Sequence, residues 1–183
     1  KSFVATAVCR VLRERGLDVA PYKAQNMSNN AGITRDGWEI ARAQIVAAVA
    51  AGVAPHPDMN PVLLKPTSER GAQIILNGRA VGAQTASEYF RDTARFRAAA
   101  MDALARLRAR YPVIVAEGAG SCAEVNLRSR DFTNFDVAHE ADLGVLLVAD
   151  IDRGGVFAQI VGTLAVLDSR DRARIRGVLI NRF

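Results

Sequence analysis

The chain has 183 residues, half of them apolar and 23% charged, which suits one domain with a full core and argues against a fibrous or low-complexity protein. No apolar run approaches a membrane span, no secretory signal is visible, and two distant cysteines, Cys9 and Cys122, argue against a disulfide scaffold or a zinc site, so a reduced, cytoplasmic protein is expected. The net charge of +5 raises nucleic acid as a partner, but low aromatic content and the lack of a recognition motif set that class aside, and a polyanionic small molecule suits a basic rim as well.

In chain order, Lys1-Ser2 runs into an amphipathic helix over 3–15, with Val4, Val8, Val11 and Leu12 on one side and Arg10, Arg13 and Glu14 on the other. Lys1-Ser2 reads as the end of a Gly-Lys-Ser/Thr phosphate loop, its lysine on the β/γ-phosphates and its hydroxyl on magnesium, or as an ordinary charged terminus. With no initiator Met and no glycine loop ahead of Lys1, the chain is expected to be cut upstream. Gly16 stops the helix. Leu17 to Tyr22 is a strand ending at Lys23, Ala24 to Thr34 a polar loop, and about Gly37 to Ala51 a helix.

Pro55, Pro57 and Pro61 then break the chain. Val62-Leu-Leu-Lys and Ala72-Gln-Ile-Ile-Leu-Asn are short strands joined by Pro66-Thr-Ser-Glu-Arg-Gly. Residues 85–110 form a long helix in one or two pieces, followed by a strand (113–116), a short helix (136–140), a strand (143–149), a helix (155–168) and a strand (175–180) ending at Asn181. This alternation predicts an α/β fold: a doubly wound, mostly parallel sheet in a three-layer α/β/α arrangement. The chain stops at Asn181-Arg-Phe183 directly after a strand, so a longer protein is expected to continue.

Two runs carry most of the chemistry, Val113-Ile-Val-Ala-Glu117-Gly-Ala-Gly120 and Val145-Leu-Leu-Val-Ala-Asp150-Ile-Asp152-Arg-Gly-Gly155. Each is a β-branched stretch ending in acid and glycine, as in parallel strands buried on both faces. Ligands gather beyond the carboxyl ends of such strands, and carboxylates beside glycines are the layout of a magnesium–nucleotide site. Glu117 is a candidate metal ligand, or a helix cap. Asp150 and Asp152 suit a divalent ion or an activated substrate, unless one of them caps the helix near Gly155.

Lys23 could meet a γ-phosphate or offset a carboxylate under phosphorylation, or simply end a strand. In the polar loop Asn126-Leu-Arg128-Ser-Arg130-Asp131, the arginines could grip carboxylates bidentately and Asp131 could orient or deprotonate a nucleophile; a solvated loop is the alternative. His56 and His139 stand alone and neither is expected to be a catalytic base. Cys122 reads as an incidental thiol, and Trp38 as packing.

The segment Tyr22-Lys-Ala-Gln-Asn-Met-Ser-Asn-Asn30 closely resembles the Lys-Ala-Gln-Asn-Met-Ser signature of the cobyric acid synthase family. So do Gly37–Gln44, Met59–Thr67, Glu117–Ser121, Glu124–Asp131 and Val148–Phe157, and the likeness runs nearly from Lys1 to Phe183. The resemblance implies the P-loop fold of dethiobiotin synthetase and the MinD-like ATPases. It also implies an ATP-dependent synthetase domain whose glutaminase partner, expected C-terminal in the full-length chain, supplies ammonia. The implied reaction converts four carboxylates of adenosylcobyrinic acid a,c-diamide to amides through acyl phosphates, giving adenosylcobyric acid.

Under that resemblance Lys1, Ser2, Gly118, Gly120 and Asn181 bind ATP, with Asn181 reading adenine. Ser2 and Glu117 hold Mg2+, with Glu39 or one of the paired aspartates as a second ligand. Lys23, Asp131, Asp150 and Asp152 take catalytic parts, and Asn26, Asn126, Arg128, Arg130 and Arg153 contact the corrinoid. A homodimer is compatible; nucleic acid and membrane are not expected. The chain departs from the family pattern at Cys122, where proline is expected, and at Asn134-Phe-Asp136, which replaces Asn-Met-Gly. A dethiobiotin-synthetase-like ligase and a MinD/ParA-type nucleotide switch are the competing expectations.

Overall fold

The computed structural model describes residues 1–68 and 71–183, so Glu69 and Arg70 of the expected inter-strand linker lie outside the described residues. The chain divides into two units, Ser2–Ala119 and Lys1 with Gly120–Phe183.

In the first unit, α1 (Ser2–Glu14) packs on α2 (Arg42–Ala51) and on β1 (Val19–Tyr22) and β8 (Val113–Ala116), which pair in parallel. Cys9, Val19 and Ala51 are fully buried, with Leu12, Val53, Val113 and Val115 against them. Burial there pushes the Cys9 thiol up to about 11.

A second sheet runs β2 (Gln25–Met27), β5 (Val62–Ser68), β6 (Gly71–Leu76), β7 (Arg79–Thr85). The β2–β5 pair is parallel and the rest antiparallel, a departure from the expected mostly parallel pattern in this region. Its hairpin turns at Asn77-Gly78, with φ of 48° and 81°. Positive φ at both central residues is what a type I′ two-residue hairpin requires and what Asn-Gly adopts readily.

The expected helix from Gly37 begins later. Ala31–Ile33 (β3) and Glu39–Ala41 (β4) pair antiparallel first, so α2 starts at Arg42. The expected long helix over 85–110 is two, α3 (Ala86–Arg91) and α4 (Thr93–Arg110). Thr85 and Glu88 form a reciprocal cap at the head of α3. A 3-10 turn, Pro57–Met59, is tied to α4 by the buried Asp58, whose carboxylate holds Arg106 at 2.7 Å and Arg110 at 2.5 Å.

The second unit carries a 3-10 turn (Val125–Arg130), α5 (Phe135–Glu140), β9 (Val145–Asp150), a 3-10 turn (Ile151–Arg153), α6 (Val156–Val166), α7 (Ser169–Arg172) and β10 (Ile175–Asn181). β9 and β10 are parallel, as the expected strand–helix–strand alternation requires. Phe135, Ala138 and Leu167 form its core, with Cys122, Leu143, Val145 and Ile175 packed on them. Parallel strand pairs with intervening helices place the chain in the expected α/β class, to which the structure adds the antiparallel hairpin.

Candidate functional site

β1 and β8 end on the same rung, Tyr22 opposite Ala116. Lys23 and Glu117 therefore leave the sheet side by side. The backbone fixes both: Glu117 N donates to Tyr22 O at 2.8 Å, and Lys23 N to Met59 O at 2.9 Å. Asn60, 1% exposed, braces the same point. Its Nδ2 donates to Lys23 O at 3.3 Å and Val62 O at 3.1 Å, while its Oδ1 accepts from Ala41 N at 3.1 Å. One amide thus joins the ends of β1, β4 and β5.

The side chains converge on one oxygen. Glu117 Oε1 accepts from Lys23 Nζ at 3.0 Å and from Ser2 Oγ at 2.8 Å. The ion pair is largely dry, with side chains 10% and 5% exposed. A buried pair of this kind holds because each charge offsets the other's lost hydration. Hydroxyl and carboxylate oxygens together are the hard donors that suit Mg2+, which keeps few protein ligands and takes the rest from water and phosphate. Among the described residues no cluster of three or more His, Cys, Asp or Glu is placed to hold a metal.

Glu39 belongs to a different pair, accepting from Lys65 Nζ at 2.6 Å. Asn26 is buried on β2, 8% exposed. Gly118 is half-buried after Glu117.

The second unit repeats the rung arrangement. β9 and β10 end together, Asp150 opposite Asn181. Asp150 Oδ1 accepts from Asp152 N at 3.3 Å, so one aspartate caps the turn that carries the other. Arg182, at φ 64°, bonds Asp152 Oδ2 at 2.7 Å and lies 3.8 Å from Asp150 Oδ2. That contact, chiefly with Asp152, holds the guanidinium pKa above its ordinary value. The charge of the two aspartates is therefore partly offset by Arg182, a residue that no motif in the sequence marks. Arg153 is exposed on the turn between them and α6.

Lys1 Nζ donates to the carbonyl of Gly120, which sits at φ 66°. That left-handed conformation favours glycine. On the turn Val125–Arg130, Asn126 and Arg130 are exposed. Asp131 organises the chain after it: Oδ1 accepts from Thr133 N at 2.7 Å and Thr133 Oγ1 at 2.6 Å, and Oδ2 from Asn134 Nδ2 at 2.8 Å. Arg128 Nη2 is bound to Asp171 Oδ2 at 2.5 Å, and His139 Nε2 lies 2.8 Å from Oδ1 of the same carboxylate. His139 is thus accompanied after all.

Asn60, Arg182 and Asp171 were missed by the sequence reading. The position of Asn60 between two broken segments and before Pro61 was a visible signal of a bracing role. Asp171 lies in the charged run Ser169-Arg-Asp-Arg172, which reads as a solvated helix end.

The family model for CobQ/CobB/MinD/ParA nucleotide-binding domains matches residues 1–183. The chain is similar to cobyric acid synthases of Chlorobium chlorochromatii and Chlorobaculum tepidum at 62% identity each, over all of this chain and 36% and 37% of those proteins. That of Paracoccus denitrificans is 55% identical over all of this chain and 38% of its own length. The chain thus spans just over a third of these relatives. No solved structure matches it.

Proposed function

The chain belongs to the family of CobQ/CobB/MinD/ParA nucleotide-binding domains, and from that premise we propose that it is the ATP-dependent, amide-forming part of a cobyric acid synthase. The substrate would be adenosylcobyrinic acid a,c-diamide and the product adenosylcobyric acid. The relatives extend well beyond the matched segment, and that remainder would carry the glutaminase that supplies ammonia. The setting would be the cytoplasm.

Ammonia does not displace oxide from a carboxylate, but it does displace phosphate from an acyl phosphate. ATP would supply the phosphoryl group and Mg2+ the charge neutralisation of its phosphates. A substrate carboxylate oxygen takes the γ-phosphoryl group and ADP departs; ammonia then adds at the carbonyl carbon, loses a proton, and phosphate leaves.

Bringing two anions together is the hard part, so positive charge held in a dry place is what catalysis needs. Lys23 meets that need: its ammonium is buried against Glu117, and its main chain is held at both the N–H and the C=O. Ser2 and Glu117 offer the oxygens that would hold Mg2+, and Lys1 would meet the phosphates. In the second unit, Asn181 would read the base, Asn126, Arg130 and Arg153 the corrinoid carboxylates, and Asp150, Asp152 and Asp131 would order the loops that present them.

The observation that most supports this reading is the Ser2–Glu117–Lys23 constellation, in which the first residue of α1 meets two residues just past the last rung of a parallel strand pair, in a chain 62% identical to proteins named cobyric acid synthase. The test is ATP hydrolysis by the intact natural chain with ammonium present. The expected result is ADP release stimulated by the corrinoid diamide and coupled to amide formation. Nucleotide-dependent dimerisation with no turnover of the corrinoid would overturn the reading.

A further inference from the structure

The turn Val125–Arg130 contains no buried residue. Its apolar residues, Val125 and Leu127, are about half exposed, so polar ties take a large share in holding its shape. Its best-placed tie is Arg128, whose Nη2 reaches both oxygens of Asp171, at 2.6 and 2.5 Å. Asp171 is 1% exposed although its helix neighbours Arg170 and Arg172 face solvent. The carboxylate also takes His139 Nε2 at 2.8 Å. Arg174 Nε donates to His139 Nδ1 at 3.2 Å, so the ring proton sits on Nε2 and points at Asp171. The guanidinium of Arg128 lies 5.4 Å from the centre of the Phe135 ring. Asp171 is itself pinned, its N–H donating to Asp168 Oδ1 at 2.8 Å.

Were Arg128 to swing onto a substrate carboxylate, Asp171 would stay buried with only the His139 ring for company, a costly arrangement. We propose that Asp171 is a positioning residue that anchors the turn Val125–Arg130 through Arg128, so that Arg128 holds the turn in place and the contacts to substrate fall to other residues of that turn. The proposal deepens the corrinoid-amidating reading and rests on it for the identity of the substrate.

The test uses the intact natural chain and the variants Asp171→Asn, Arg128→Gln and the pair together. Hydrogen exchange at 124–133 should speed by about tenfold or more in each single variant, with β1 and β8 unchanged. The corrinoid KM should rise roughly ten- to a hundredfold while the ATP KM stays put. The double variant should be no worse than either single one, because both remove the same tie. If Asp171→Asn does not fold, Arg128→Lys, which keeps the charge but loses the planar guanidinium over Phe135 and its reach, should give a partial version of the same effects.

Unchanged exchange at 124–133, or additive losses in the pair, would overturn the proposal. A KM increase in Arg128→Gln with none in Asp171→Asn would also overturn it, by making Arg128 a direct contact. Should the wild-type chain turn over no corrinoid, the exchange measurement and the non-additivity of its effects would still decide the anchor, separately from the substrate.

Discussion

Glu117 and Asp171 are both buried carboxylates facing cations, yet their surroundings differ in kind. Glu117 receives a lysine and a serine hydroxyl on a single oxygen. Both donors are point-like groups on rotatable stems that can re-aim toward an incoming phosphate and its metal. Asp171 receives a guanidinium across both oxygens and an imidazole on one of them, an arrangement that leaves little room to change. The first sits at the carboxyl end of a parallel strand pair, where ligands gather. The second sits in a short helix just ahead of β10, by the amino end of that strand and not its carboxyl end. A buried acid is thus poised for chemistry or committed to architecture according to the geometry of its donors, and burial alone does not tell which.

The sharpest way to break the contrast is Lys23→Met, which keeps the stem and removes the charge. Turnover of the intact chain should fall by roughly 10²–10³. The orphaned Glu117 should lower stability by about 3 kcal/mol in urea unfolding. A variant that kept near-normal turnover would remove Lys23 from the reaction. Asp58→Asn probes the architectural kind in the first unit, since Asp58 ties Arg106 and Arg110 to the turn before β5. Stability should drop by about 2 kcal/mol, with turnover per folded molecule close to normal.

Tyr22→Phe is milder. Its hydroxyl donates to Ala100 O at 2.7 Å, deep in the first unit, and the loss should cost about 1 kcal/mol by the same measurement. Burial, chiefly, holds the Tyr22 phenol above its ordinary pKa, so the wild-type absorbance should show one tyrosine titrating later than the others.

The smallest effect concerns pH. The carboxyl of Asp168 is held below its ordinary 3.8, chiefly by the N–H of Asp171. A carboxyl lowered on folding stabilises the fold above its ordinary pKa and loses that contribution as pH falls through the lower folded value. Protection against exchange at 168–173, relative to the unstructured rate at the same pH, should therefore fall in acid, below about pH 4. Asp168→Asn, which caps without titrating, should flatten that dependence.

How much of this was legible in the sequence follows from the physics of each element. The apolar runs before Glu117 and Asp150 betrayed their strands by their Val, Ile and Leu content, although these strands are only partly buried; the fully buried strand before Lys23 has one β-branched residue, Val19. The three-residue strands β2, β3 and β4 are too short to carry any period. β7 is exposed along nearly its whole length, so no alternation marks it, although Asn77-Gly78 was a hairpin signal in plain view. The Lys23–Glu117 contact could be reasoned from two strand ends. The Asp171 tie could not, because it joins residues 128, 139 and 171 across three elements with no shared pattern.

Asn60 carries a consequence for how the molecule ages. An asparagine turns into aspartate when the next residue's backbone nitrogen attacks its side-chain amide. The residue after Asn60 is Pro61, which has no N–H to offer. The amide that three backbone groups depend on is thereby shielded from spontaneous conversion, and an aspartate there would face two carbonyl oxygens with no proton to give. Asn77, exposed at the hairpin tip and followed by glycine, has no such protection. Long storage should mark the tip and spare the brace.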